Sequence, residues 1–107
     1  MQHGADVNSR GTLAWMPLHA TAIRGHSNTI KVLLEYGADV NAVTTSHNTP
    51  LYLSSDWGYL EVVQLLLKHR VDVHIPGSDN LTPIQVARSQ GHVKVAELLL
   101  EHGARGG

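Results

Sequence analysis

The sequence repeats itself at a step of 33 residues, and no other property limits its fold as severely. Pro17, Pro50 and Pro83 keep that step, as do Gly25, Gly58 and Gly91. A ring follows each of these glycines: His26, Tyr59 or His92. The pairs Leu33-Leu34, Leu66-Leu67 and Leu99-Leu100 hold the same register, and so do Val7, Val40 and Val73. Three units result, 8–40, 41–73 and 74–106, with residues 1–7 reading as the tail of a preceding unit. Together they form one domain over residues 1–107. A unit this short cannot bury its own apolar face, so it must stack on copies of itself.

Within each unit the pattern predicts two short helices. A proline at the first helical position has no amide to leave unpaired and has φ preset for the helix. Thr49 and Thr82 precede two of these prolines and can cap the helix N-terminus. The first helix should stop at Gly25, Gly58 or Gly91, a residue type suited to a left-handed C-cap. The second should run about ten residues, in the middle unit from Leu60 to His69. Its apolar residues recur at helical spacing but spread beyond one stripe, so it needs cover on both flanks.

Composition narrows the function classes. Apolar residues make up 42% of the chain, yet it has no Phe, 2 Trp and 3 Tyr, so the core must be built of small and branched aliphatics. The net charge is −1, from 8 basic and 9 acidic residues scattered singly. Nucleic-acid binding needs clustered Lys and Arg to displace counterions, and no cluster exists. A membrane role is disfavoured too, because there is no basic amphipathic stretch and no apolar run near about 18 residues. The absence of Cys excludes disulfides and thiolate metal sites. It also points towards a reducing, intracellular compartment, the cytoplasm being the expected one.

Met16-Pro17-Leu18-His19-Ala20, Thr49-Pro50-Leu51-Tyr52-Leu53 and Thr82-Pro83-Ile84-Gln85-Val86-Ala87 resemble the Thr-Pro-Leu-His-x-Ala motif of ankyrin repeats. Gly37-Ala38-Asp39-Val40-Asn41 resembles the segment between repeats, and Gly25-His26 and Gly91-His92 the turn between helices. The resemblance spans essentially the whole chain. It implies an all-α solenoid of stacked helix-turn-helix units with finger loops, a non-enzymatic scaffold that binds proteins. It implies nothing about which protein.

The chain departs from that pattern in places. Met16 stands where the Thr belongs, and Tyr52 and Gln85 stand where the His belongs. Each lost side-chain bond would cost about 0.5–1.5 kcal/mol. Arg70 occupies the slot of Gly37 and Gly103, and left-handed backbone there would strain it by about 1 kcal/mol. The last helix shows no evident polar capping face, and the first residues continue an earlier unit. The expected reading is a segment of a longer array, the rival a minimal protein with exposed ends. Such ends can stack on another copy, although a monomer is expected.

Eight His invite a metal hypothesis. His69 and His74 are suitably spaced but straddle the junction between units, and His19, His26 and His92 fall on motif positions. These are structural or surface residues, and neither a metal nor another cofactor is expected. No nucleophile, base and orienting group come together in the sequence, so no catalytic residue is assigned. Asp6, Asp39 and Asp72 repeat in register and should accept backbone hydrogen bonds in the turns between units.

Positions that vary while the framework stays fixed are the candidates for recognition. The resemblance places two such stretches on the face that ankyrin arrays use for binding. From the loop before each Pro come Arg10 and Trp15, then Val43, Thr45, Ser46 and Asn48, then Asp79 and Leu81. From the pair before each helix-ending Gly come Ile23 and Arg24, Asp56 and Trp57, Ser89 and Gln90. Trp15, Arg24, Asp56 and Trp57 are expected to carry specificity, Trp because it buries much area at little rotamer entropy. Asp56 and Asp79 should disfavour acidic ligands. Two rival readings remain: a spacer between neighbouring domains, and a substrate for modification. Leu33 with Asp39-Val40-Asn41 resembles the site of asparaginyl hydroxylases, which would make Asn41 the target.

Overall fold

The computed structural model describes residues 16–104. Over that span the chain forms α1 (Pro17–Arg24), α2 (Ser27–Glu35), α3 (Pro50–Trp57), α4 (Leu60–Leu67), α5 (Pro83–Ser89) and α6 (Val93–Glu101), with no strand among the described residues. Each odd-numbered helix packs on the even one after it. Helices α1, α3 and α5 form one row, and α2, α4 and α6 a second behind it. The core runs between the rows as columns of equivalent residues: Leu18, Leu51 and Ile84; Ile30, Val63 and Ala96; Leu33, Leu66 and Leu99. All nine are buried aliphatics, as a stack without Phe requires.

The front-row helices begin on shared chemistry that the three units divide between them. In unit one Met16 N–H donates to His19 Nδ1 at 2.9 Å, and His19 Nε2 donates to the Ala42 carbonyl of the next unit at 2.7 Å. In unit two Thr49 Oγ1 accepts the Tyr52 N–H at 3.0 Å. Unit three has both halves of a capping box. Thr82 Oγ1 accepts the Gln85 N–H at 3.4 Å, and Gln85 Oε1 accepts the Thr82 N–H at 2.9 Å. Gln85 thus restores a bond that loss of the His was expected to forfeit.

The same helices end at left-handed glycines, with φ of +70° at Gly25, +76° at Gly58 and +79° at Gly91. In each turn the residue after the glycine reaches back to close the helix, as in His26 N–H to the Thr21 carbonyl at 3.1 Å. Each of the two joints between units seats a ring on such a glycine. A Cβ on Gly25 would lie 2.9 Å from Tyr59 Cδ1, and one on Gly58 would lie 2.4 Å from His92 Nδ1. At Gly91 a Cβ would meet nothing within 4 Å.

Helix α4 stops at Leu67, short of the expected His69. Lys68 N–H and His69 N–H turn back to the Leu65 and Leu66 carbonyls at 3.2 and 3.0 Å, and Arg70 then takes φ +61°. The left-handed backbone anticipated at Arg70 is therefore present. On the side of unit three facing away from unit two, Leu100 is 43% exposed where Leu34 is 7%. Arg88 is exposed on that side too, in the column that buries Ala22 and Ser55. It is a polar residue of this face that the helix pattern of α6 did not reveal.

Candidate protein-binding surface

The loops before α3 and α5 are tight hairpin fingers. In the first, Thr44 N–H bonds the Asn48 carbonyl at 3.0 Å and His47 N–H the Thr44 carbonyl at 2.8 Å. In the second, Gly77 N–H bonds the Leu81 carbonyl at 2.8 Å and Asn80 N–H the Gly77 carbonyl at 2.9 Å. The third tip residue is left-handed in both, at φ +67° for His47 and +59° for Asn80, as a three-residue hairpin requires.

Side chains bolt one finger to the next. Asn48 Oδ1 accepts the Ser78 N–H at 3.0 Å, and His47 Nδ1 donates to the Pro76 carbonyl at 2.8 Å. Nearer the second row, Asn41 Oδ1 accepts the Asp72 N–H at 2.7 Å, while Asp39 and Asp72 accept the N–H groups of Asn41 and His74. Asp39 and Asp72 thus play the turn role expected of them, and Asp6 lies outside the described residues. The amide of Asn41, the candidate modification target, is used as a splice between units.

Behind the second finger sits Tyr52. Its ring is 4% exposed and lies against Gly77, where a Cβ would fall 2.4 Å from the ring. The Ser78 side chain lies near its hydroxyl. Burial raises the Tyr52 pKa above 10.0, the Asp79 carboxylate adds to the rise, the Ser78 side chain opposes it, and Asp56 raises it further.

The structure places the remaining candidates as follows. Thr45, Ser46 and Asp79 are exposed on the fingers; Val43, Asn48 and Leu81 are half-buried. Along the ends of the front row Arg24, Trp57, Ser89 and Gln90 are exposed, and Ile23 and Asp56 are half-buried. Arg10 and Trp15 lie outside the described residues. Two candidates from different units meet directly: Gln90 Nε2 donates to Asp56 Oδ1 at 2.8 Å.

Trp57 is 55% exposed, but it does have a packing partner. Its ring lies parallel to that of Tyr59, with centroids 6.5 Å apart and planes 10° apart. Tyr59 is itself the ring seated on Gly25. Tyr52 and Tyr59 are the two residues of this surface that the variable-position argument missed. Both stand at motif positions where the family pattern has His, and that departure was the available signal.

Among the described residues no group of three or more His, Cys, Asp or Glu could hold a metal ion. No described helix is long and apolar enough to cross a membrane. His19 is buried with both ring nitrogens bonded to backbone, and His92 is half-buried on Gly58.

Two family profiles cover nearly all of the chain: one for ankyrin repeats in three copies, over residues 1–77, and one for a single ankyrin repeat, over residues 79–105. The chain belongs to the ankyrin-repeat family. Ankyrin repeats are generally protein–protein interaction modules, and proteins built from them are typically not enzymes. Among curated proteins none matches this ankyrin-repeat chain.

Proposed function

We propose that this chain binds a protein or peptide across the exposed ends of its front-row helices and its finger loops. The observation that carries this reading is the Trp57 ring. More than half of it faces solvent, and it is held flat by Tyr59 on an anchored glycine joint. A large apolar surface left in water costs free energy that a partner can recover by covering it. Because the ring is already oriented, little side-chain entropy is lost when it is covered. Arg24 stands one unit back in the same column, and Gln90 one unit forward. The bolts between fingers make the flanking loops similarly preorganised.

Binding is stoichiometric in this reading, with Trp57 as anchor and the exposed finger residues Thr45, Ser46 and Asp79 supplying selectivity. The test is affinity capture from a lysate of the source cells, comparing the chain with its Trp57→Glu/Arg24→Glu variant. Far-UV circular dichroism must first show the two equally helical. A protein retained by the first and lost by the second supports the assignment. Equal retention by both would place binding elsewhere on the molecule.

A further inference from the structure

We propose that a second copy of this chain stacks on the first head to tail, the open side of unit three receiving the side of unit one that faces away from unit two. This surface is separate from the front-row ends and fingers, and its occupant is read from the joints inside the chain. At both joints a ring from the following unit fills the space over a left-handed glycine, Tyr59 over Gly25 and His92 over Gly58. His92 also donates from Nε2 to the Asp56 carbonyl at 3.0 Å. Unit three repeats this seat at Gly91, with Ser89 in the place of Asp56, but over Gly91 there is open space. The aliphatics of that side are uncovered as well. Val93 and Leu100 are exposed, whereas their counterparts Leu60 and Leu67 are packed against the core.

The chain also carries the ring that fits. His26 holds the position of Tyr59 and His92 in unit one, and its imidazole is exposed and unpaired among the described residues. In the stack, His26 of the second copy covers Gly91 and donates to the Ser89 carbonyl, as His92 does to Asp56 one unit earlier. Covering Val93 and Leu100 supplies the apolar gain. Arg88 opposes it. It stands where Ala22 and Ser55 are buried, so closing this joint takes a guanidinium out of water. The joint between copies is therefore weaker than those within the chain. Because its two sides differ, the contact is heterologous, and the small turn per unit of a solenoid leaves it open to a third copy. Each added copy continues the front row and the fingers, repeating that surface along the stack.

Sedimentation velocity over a range of concentrations tests this. The average mass should climb with concentration past that of a dimer. Arg88→Ala, which gives unit three the alanine of unit one, should reach the same mass at about tenfold lower concentration. Two variants block one end each. Leu100→Glu closes the tail, and His26→Asp, a good residue for a helix N-cap, closes the head. Each alone should stay monomeric, and their equal mixture should form dimers and nothing longer, which also shows that both fold. Dimers formed by either blocked variant alone overturn the head-to-tail fit, as does a mixture that stays monomeric. If the unaltered chain and Arg88→Ala are both monomeric at every concentration, the proposal falls, and the seat at Gly91 belongs to some other unit or to none.

Discussion

The contact between Tyr52 and Gly77 makes two positions, 25 residues apart in sequence, depend on each other, and that dependence can be measured. Gly77 does not have a positive φ, so its backbone does not demand glycine. What excludes a side chain there is room. A Cβ would come within 2.4 Å of the Tyr52 ring, against about 3.5–4.0 Å for comfortable carbon contact. The ring cannot simply retreat, because it is 4% exposed and so enclosed by its neighbours. Gly77→Thr should therefore cost about 2–3 kcal/mol as overpacking. Tyr52→His leaves a void over Gly77, for about 2 kcal/mol. The preceding joint already has the alternative pair, with His19 and Thr44 both buried. The double variant recreates that pair and offers the new imidazole the Thr49 N–H and the Ile75 carbonyl, counterparts of the groups His19 bonds. It should recover at least about 2 kcal/mol relative to the sum of the singles. Urea unfolding followed by circular dichroism measures all four proteins, and unchanged m-values would show that the comparison is sound. If the two single costs add to within about 0.5 kcal/mol, the joints are not the paired fits argued here.

Three further outcomes follow from the geometry. Arg70→Gly should raise stability by up to about 1 kcal/mol in the same assay, since relief of left-handed strain exceeds the added freedom of the unfolded chain; no gain would mean the side chain has a compensating role. Gly58→Ala should cost about 2–4 kcal/mol because backbone strain and the His92 ring both oppose it, whereas Gly91→Ala should cost only about 1 kcal/mol, and equal costs would dismiss the ring-on-glycine joint. The Tyr52 pKa is raised above 10.0 by burial first and then by the Asp79 carboxylate. The unfolded chain therefore loses this proton at lower pH than the folded one, and the stability contribution is intact below pH 10.0 and lost as pH rises through the folded value. Tyrosinate absorbance should show Asp79→Asn titrating nearer the ordinary value; an unmoved titration would separate Asp79 from the hydroxyl.

The periodic residues made the architecture legible, because a stack has to place the same residue types at every unit. The caps at Thr49 and Thr82, the glycine stops and the left-handed Arg70 all follow from one position compared across three units. The binding surface was less legible. Asp56 and Gln90 were chosen as variable positions, but nothing in their spacing says that they bond each other. Asn48 was chosen likewise, and its side chain fastens the next finger. Such bonds join residues 30 to 34 apart, in neighbouring units, and each depends on which side chain the neighbour happens to carry. Trp57 was the opposite case. Its stacking partner is two residues away, and Tyr59 in place of His was the mark of it.

The two joints between units are also addresses. Unit one presents His19 and Gly25 to a neighbour with Thr44 and Tyr59, while unit two presents Tyr52 and Gly58 to one with Gly77 and His92. Near-identical units carry a hazard while folding, for one that skips its neighbour still finds an apolar surface to lean on. If unit one skipped to unit three here, the smaller His19 would stand over the empty Gly77, leaving a hole where Tyr52 belongs. A copy of unit two docked onto another unit two would drive the Tyr52 ring into Thr44. The irregularities that blur the repeat in the sequence therefore let each unit tell its proper neighbour from the others.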